Sequence, residues 1–293
     1  MMDNGKKRIR ATSIHTLNDT PVSRLLKNIV SLLLILYTLI AIYLIGLSFL
    51  NAFKSKPDLI NNTMGWPKQF VLDNFRVVLL EDGFLRNLLN SVFLSGLSLV
   101  LLITVSSMLA YGISMFEFRS KSFLQTYFLV GLMFPIQLGL LPLFVIMTRL
   151  HLNNSIPGLA LVYAANLSFS FTVFSKFFSG FPRPLLEAAR IDGAGELGLF
   201  LRVVLPVTRP VIFTVALLNF VMIWNDFYMP LVFLTKSTMK TLTLGIYAYT
   251  ADFLSNWNKV FAGVAIALLP IIVIYFFFSE QITAGMTSGS IKG

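Results

Sequence analysis

No cysteine occurs among the 293 residues, which excludes disulfides and thiolate metal sites. Histidine is nearly absent too. His15 and His151 lie far apart, without His-x-x-x-His or similar ligand spacing, so a metal site has nothing to be built from. Charge is scarce: Asp, Glu, Lys and Arg make up 12% of the chain, where a soluble domain carries roughly 25%. That leaves too little polar surface to cover a water-exposed globule. A P-loop is missing, since no Gly-Lys-Ser/Thr occurs, and there is no Ser-His-Asp or paired-carboxylate constellation. The chain by itself therefore carries no hydrolase machinery and no cofactor site.

What the chain has instead is apolar surface. Hydrophobic residues make up 56%, mean hydropathy is +0.78 and Phe alone occurs 28 times. The bilayer is the expected solvent. A helix needs about 20 residues to cross a hydrocarbon core about 30 Å thick. Six apolar stretches meet that length, near 26–50, 88–115, 123–148, 156–179, 211–234 and 259–279. The expected fold class is an all-α membrane protein with six transmembrane helices. Residues 1–25 read as a polar N-terminal tail and 285–293 as a C-terminal tail, flanking a transmembrane domain over 26–284. The first apolar run is too long for a signal peptide and no small-x-small cleavage site follows Phe49, so it reads as a retained anchor.

The net charge of +10 does not point to nucleic acid, because the cations sit in short segments between apolar runs. There they act as topology signals and lipid-headgroup partners. With the N-terminus inside, fourteen of the 23 Lys and Arg fall on inside segments, with Arg24 and Lys27 abutting the first span. Both termini are expected to be cytoplasmic. Two connections are long: an outside segment, 51–87, and an inside segment, 180–210.

The inside segment reads Glu187-Ala188-Ala189-Arg190-Ile191-Asp192-Gly193-Ala194, then Val203-Val204-Leu205-Pro206. Pro182 and Pro184 are expected to stop the preceding span. Glu187 to Arg190 are good helix formers, with an acid near the helix start. Gly193 and Gly195 should break that helix. A second turn over Leu197–Val204 would place Leu197, Phe200, Leu201 and Val204 on one face, and Pro206 would end it. Read physically, this is a helix-turn-helix on the membrane face, either an interfacial helix without a partner or a docking element.

The spacing Glu-Ala-Ala, three residues, Gly, nine residues, an aliphatic, one residue, Leu-Pro resembles the signature loop of permeases of binding-protein-dependent ATP-binding-cassette importers. Val203 stands where Ile is more usual. Asp192-Gly193-Ala194, Trp224-Asn225-Asp226-Phe227 and the C-terminal Gly285-Met286-Thr287-Ser288-Gly289-Ser290-Ile291-Lys292-Gly293 resemble the carbohydrate importers, in particular the smaller permease of maltose-type systems. The likeness runs from the first span to the end. It implies a coupling helix between spans four and five, with Glu187, Ala188, Ala189, Asp192, Gly193, Leu205 and Pro206 against an ATPase subunit. It implies a tail, with Gly285, Gly289, Lys292 and Gly293, reaching between two ATPase subunits that hold the ATP and Mg. It further implies a second permease, an extracytoplasmic sugar-binding protein and a bacterial or archaeal cell membrane. The outside loop Thr235–Asn258 corresponds to one that probes the binding protein. The alternatives are an importer of the same kind for a non-sugar solute, or a secondary transporter. The absence of a sequence repeat between the halves argues against the latter.

Polar positions within spans are candidates for the substrate pathway: Trp224, Asn225, Asp226, Asn166 and Gln137. Asp226 beside Trp224 and Asn225 suits a sugar. Equally, Trp224 suits an interfacial belt and Asp226 a cap or interhelical hydrogen bond. Pro135 and Pro142 read as a hinge or as ordinary kinks, and Tyr163, Ser168 and Ser170 as bonds across helices.

Overall fold

The computed structural model describes residues 21–250 and 256–288. Every regular element among them is helical. Helix α1 (Pro21–Ala52) is apolar on all sides, and its span-length window is unburied within the chain. A helix apolar all round has no water-facing side and needs lipid or another protein around it.

The long connection after α1 is folded rather than slack. Helix α2 (Lys56–Asn61) is capped by the Ser55 side chain, and α3 (Asp73–Arg76) runs into a π-helical turn over Val77–Glu81. Lys54 is fully buried there and donates to the carbonyls of Asn62 (2.6 Å) and Thr63 (3.2 Å). Burial pulls its ammonium below the usual lysine range, and nearby Asp58 offsets part of that. Asn74 reaches back to the carbonyls of Ala52 and Lys54.

Gly83, with φ 72°, then opens α4 (Phe84–Met115), the central helix. It begins four residues earlier than the expected second span. One face carries Ser91, Ser95, Ser98, Ser106 and Ser107, all buried. Small hydroxyl residues let neighbouring helices approach closely. Ser98 and Ser106 bond back to the carbonyls of Leu94 and Leu102, so their burial leaves no donor stranded.

The expected third span is not one straight helix. Helix α5 (Lys121–Gly131) stops, a 3₁₀ turn covers Ile136–Gly139, and α6 (Leu140–Arg149) leaves at 96°. Pro135 caps the 3₁₀ turn and Pro142 lies in the first turn of α6, where a missing N–H costs nothing. Neither proline kinks a continuous helix. Helices α7 (Ile156–Ala165) and α8 (Ser168–Ser179) form a second bent pair, at 49°. Asn166 sits at the break.

Helix α9 (Arg183–Ile191) is followed by α10 (Glu196–Leu199), a π-turn over Phe200–Val204, and α11 (Leu205–Val207). A 76° bend then leads into α12 (Arg209–Asn225). Helix α13 (Tyr228–Phe233) continues after a break at Asp226, so the expected span 211–234 is two helices. Helix α14 (Leu242–Thr250) folds back against α4 and α15. Helix α15 (Trp257–Ser288) contains Pro270 and absorbs Gly285 to Ser288, which the sequence placed in a tail. Gly289, Lys292 and Gly293 lie outside the described residues.

Among the described residues, three straight helices are long and apolar enough to cross a membrane, and three bent pairs pass the same test jointly. The packing has three centres strung along α4. One joins its C-terminal half to α8, α9 and the start of α12. One joins its middle to α7 and α13. The third joins its N-terminal end to α12, α14 and α15.

Candidate functional site

The Glu-Ala-Ala segment lies at the C-terminal end of α4. Its helix starts earlier than expected: Pro182 is the cap residue of α9 and Pro184 falls in the first turn. These prolines begin a helix instead of only stopping one, since α8 already ends at Ser179. Glu187 is therefore mid-helix, and the first turn has no acid.

The end of α9 is a Schellman closure. The Ala194 N–H bonds to the Ala189 carbonyl and the Gly193 N–H to that of Arg190, both at 3.0 Å, while Gly193 takes φ 84°. A Cβ on Gly193 would meet nothing within 4 Å, so glycine is required here by the backbone angle, not by crowding inside this chain. Gly195 opens α10 at an ordinary φ of −70°.

Leu186 anchors α9, buried on the same core as Leu199, Phe200 and Val204. Leu197 and Leu201, expected on that buried face, point to solvent instead. The buried face runs through Leu199, Phe200 and Val204 instead, and the π-turn over Phe200–Val204 departs from the 3.6-residue register. Pro206 does not end the helix. It occupies the first turn of α11, and the break comes at Thr208, after which Pro210 falls in the first turn of α12, where its missing N–H costs nothing.

The base of the loop is held by residues the sequence did not single out. Glu196 pairs with Arg190 (Oε1 to Nη2, 3.0 Å) and accepts from the Tyr111 hydroxyl at Oε2 (3.1 Å). Tyr111 stands among Phe116, Phe178 and Phe200, with ring centroids 5.1 to 6.2 Å away. The available signal was an acid directly after Gly195 at a helix start. Above this base Glu187, Ala188, Asp192 and Gly193 are exposed, Ala189 and Leu205 are half-buried, and Ile191 is 86% exposed. A bare isoleucine on a stiff turn is unusual unless another surface covers it.

The pathway candidates separate. Trp224 is buried, stacks on Phe220 at 5.2 Å and donates from Nε1 to the Ala267 carbonyl. It is a packing residue between α12 and α15, not a belt residue. Asp226 joins three elements: Oδ2 accepts from the Tyr163 hydroxyl (2.8 Å), Oδ1 caps the N–H groups of Tyr228 and Met229, and its carbonyl accepts from Thr243. Asn225 bonds back to the Val221 carbonyl yet is exposed, as is Gln137. Ser170 accepts from Asn219 across helices, as expected. Among the described residues no His, Cys, Asp and Glu cluster could hold a metal.

Residues 102–288 match the family described as binding-protein-dependent transport system inner membrane component. The chain belongs to that family. It is a permease subunit of a binding-protein-dependent ATP-binding-cassette importer, and a transport subunit rather than an enzyme. The permease is 33% identical to the putative ABC transporter permease protein ORF2 of Caldicellulosiruptor sp. (strain Rt8B.4), covering 89% of this chain and 95% of that one. It is 32% identical to the arabinooligosaccharides transport system permease protein AraQ of Halalkalibacterium halodurans, covering 83% and 88%. It is 31% identical to the diacetylchitobiose uptake system permease protein NgcG of Streptomyces coelicolor, covering 89% and 87%. Its fold is that of a chain in the crystal structure of a bacterial ABC transporter involved in import of the acidic polysaccharide alginate, with a TM-score of 0.80, 21% identity and coverage of 90% and 99%. Membership makes this permease a multi-pass membrane protein, as the apolar helices require.

Proposed function

We propose that this permease forms half of a sugar-translocation pathway and is driven through the 187–206 loop. Relatives named for arabinooligosaccharides, diacetylchitobiose and multiple sugars support the solute class. The six crossings are α1, α4, the α5–α6 pair, the α7–α8 pair, α12 with α13, and α15. Both termini and α9 lie on the cytoplasmic side, with α14 outside. A second permease completes the pathway, two ATPase subunits hold ATP and Mg, and an extracytoplasmic binding protein delivers the sugar.

The observation that carries the coupling role is the exposed Ile191–Gly193 turn on a buried base. A lever needs a stiff root and a tip free to be gripped. Leu186 and the Tyr111–Glu196–Arg190 contact supply the root, and Glu187, Ala188, Asp192 and Gly193 line the tip with small and polar groups. Closure of the ATPase pair would then swing α9 and turn the spans from inward-facing to outward-facing. The tail from Gly285 through Lys292 to Gly293 contacts the ATPases in the same scheme, and Asn225, Gln137 and Asn166 are the pathway positions. Gly193→Asp should abolish uptake and uncouple or release the ATPase while leaving membrane insertion intact. Normal uptake by that variant would sink the coupling assignment.

A further inference from the structure

At the opposite end of α4 lies a recess of about 410 Å³ between the start of that helix, the 237–240 turn and α14. Small-molecule sites commonly fall at roughly 300–1,000 Å³. Its floor is the Asn87 carboxamide, 7% exposed, for which no side-chain hydrogen bond exists among the described residues. The amide opens onto the recess rather than being sealed in the core, so an incoming group can bond to it. Gly245 on α14 lies directly against it, and a Cβ there would overlap the Asn87 nitrogen. Asn90 pins the facing turn through the Thr238 and Lys240 carbonyls (3.0 and 2.9 Å), so the walls are fixed.

The chemistry of the walls is lopsided toward donors. Asp82 Oδ2 already accepts from Tyr249 (3.0 Å) and Lys259 (2.9 Å). Burial, with the Asp82 hydrogen bond and charge, holds the Tyr249 phenol well above its usual range, so it stays a donor. Arg86 and Lys240 line the recess without an ion-pair partner among the described residues. The first turn of α4 has no side-chain cap, and Gly83, Arg86 and Asn87 of that turn line the recess, so the positive end of the helix dipole lies beside it. Two cations without an ion-pair partner among the described residues, Arg86 and Lys240, stand beside one carboxylate that is already engaged. A ligand that completes this site must bring acceptors and negative charge. Hydroxyls of a neutral sugar would leave the cations unmatched.

We propose that this recess binds the charged unit of an anionic, carboxylate-bearing saccharide at the outer mouth of the permease. The proposal rests on the sugar-import reading and deepens it by naming the solute class. The test uses the assembled importer in nanodiscs of zwitterionic lipid, without binding protein. Saturation-transfer NMR follows digalacturonate, with maltose as the uncharged control. Digalacturonate should give a signal and maltose none. The Arg86→Gln, Lys240→Gln pair should weaken binding by about tenfold, as expected when charge-assisted bonds are lost. Asn87→Leu should do the same. Because Leu must fit beneath Gly245, the two surface substitutions decide the matter if that variant does not fold.

Equal signals from maltose, or binding unchanged in the Arg86→Gln, Lys240→Gln importer, would overturn the proposal. So would an absence of any saccharide signal alongside loss of binding-protein docking in the same variants, which would make the recess a seat for an acidic protein side chain. ATP-driven uptake with the binding protein is measured in parallel. No uptake of any sugar by the unmodified importer defeats the import reading itself, whereas uptake with unaltered digalacturonate binding in the variants defeats only the recess.

Discussion

Glu196 accepts from two elements at once, Arg190 on α9 and Tyr111 on α4. Its ion pair is half exposed and contributes roughly 0.2–1 kcal/mol. The tyrosine bond contributes about 0.5–1.5 kcal/mol. Glu196→Ala should therefore lower stability by only about 1–2 kcal/mol. Its effect on coupling should be larger than that suggests, because the Tyr111 bond ties the loop to the bundle while the Arg190 pair ties α9 to α10. Sugar carried per ATP hydrolysed should fall by about fivefold, an energy within the range of known coupling contacts, and Glu196→Gln should recover part of it. Equal ratios in all three proteins would show that the contact transmits nothing.

Asp226 predicts the reverse pattern. Its carboxylate satisfies the buried Tyr163 hydroxyl and caps α13. Removing it strands a buried donor and a helix start, costing about 2–4 kcal/mol. Thermal unfolding in detergent should show Asp226→Ala clearly less stable than Asp226→Asn, which keeps one oxygen for the cap and offers its amide N–H to the Tyr163 hydroxyl oxygen. Equal melting of the two would remove the capping role.

At the scale of elements, the positions of helix breaks are what the apolar runs concealed. Composition reports which solvent a segment prefers, and Leu, Phe and Met serve a straight helix and a bent pair equally well. The run through Gly131-Leu132-Met133-Phe134-Pro135 therefore read as one span, although α5 and α6 cross at 96°. The prolines were legible as punctuation but not in sense, because a proline that cannot continue one helix is well suited to start the next. Gly193 was legible in both respects: a glycine after helix formers is a helix stop, and φ 84° is what the Schellman closure demands. The residues of the loop base, Tyr111 and Glu196, were not legible, since 85 residues separate them and only the fold brings them together.

Gly193 also separates turn geometry from docking. Asn tolerates the left-handed region, and open space surrounds the glycine in this chain. Gly193→Asn should keep the protein's stability within about 1 kcal/mol of the parent. If an ATPase surface approaches the turn closely, the same variant should still lose transport. Retained transport would mean that only the backbone angle matters and that nothing grips the turn.

For the whole molecule, the decisive question is which end faces which compartment. Helix α4 runs between the two ends, from the charged recess at Phe84 to the loop base at Met115. Orientation inferred from Lys and Arg rests on a modest excess, fourteen of 23. The two ends make the inference testable because they differ in what they expose, Ile191 at one and Thr238 at the other. The absence of cysteine makes the parent chain blank to thiol reagents, so single substitutions read out alone. In right-side-out vesicles, Thr238→Cys should react with a membrane-impermeant maleimide and Ile191→Cys should not. Inverted vesicles should exchange the two. Labelling should also be lost at Ile191→Cys, and only there, when the ATPase subunits are bound, because a coupling tip is covered in the assembled importer. Labelling of both positions from one side would break the six-crossing topology, while protection at neither position would leave Ile191 a lipid-surface residue and the loop without its partner.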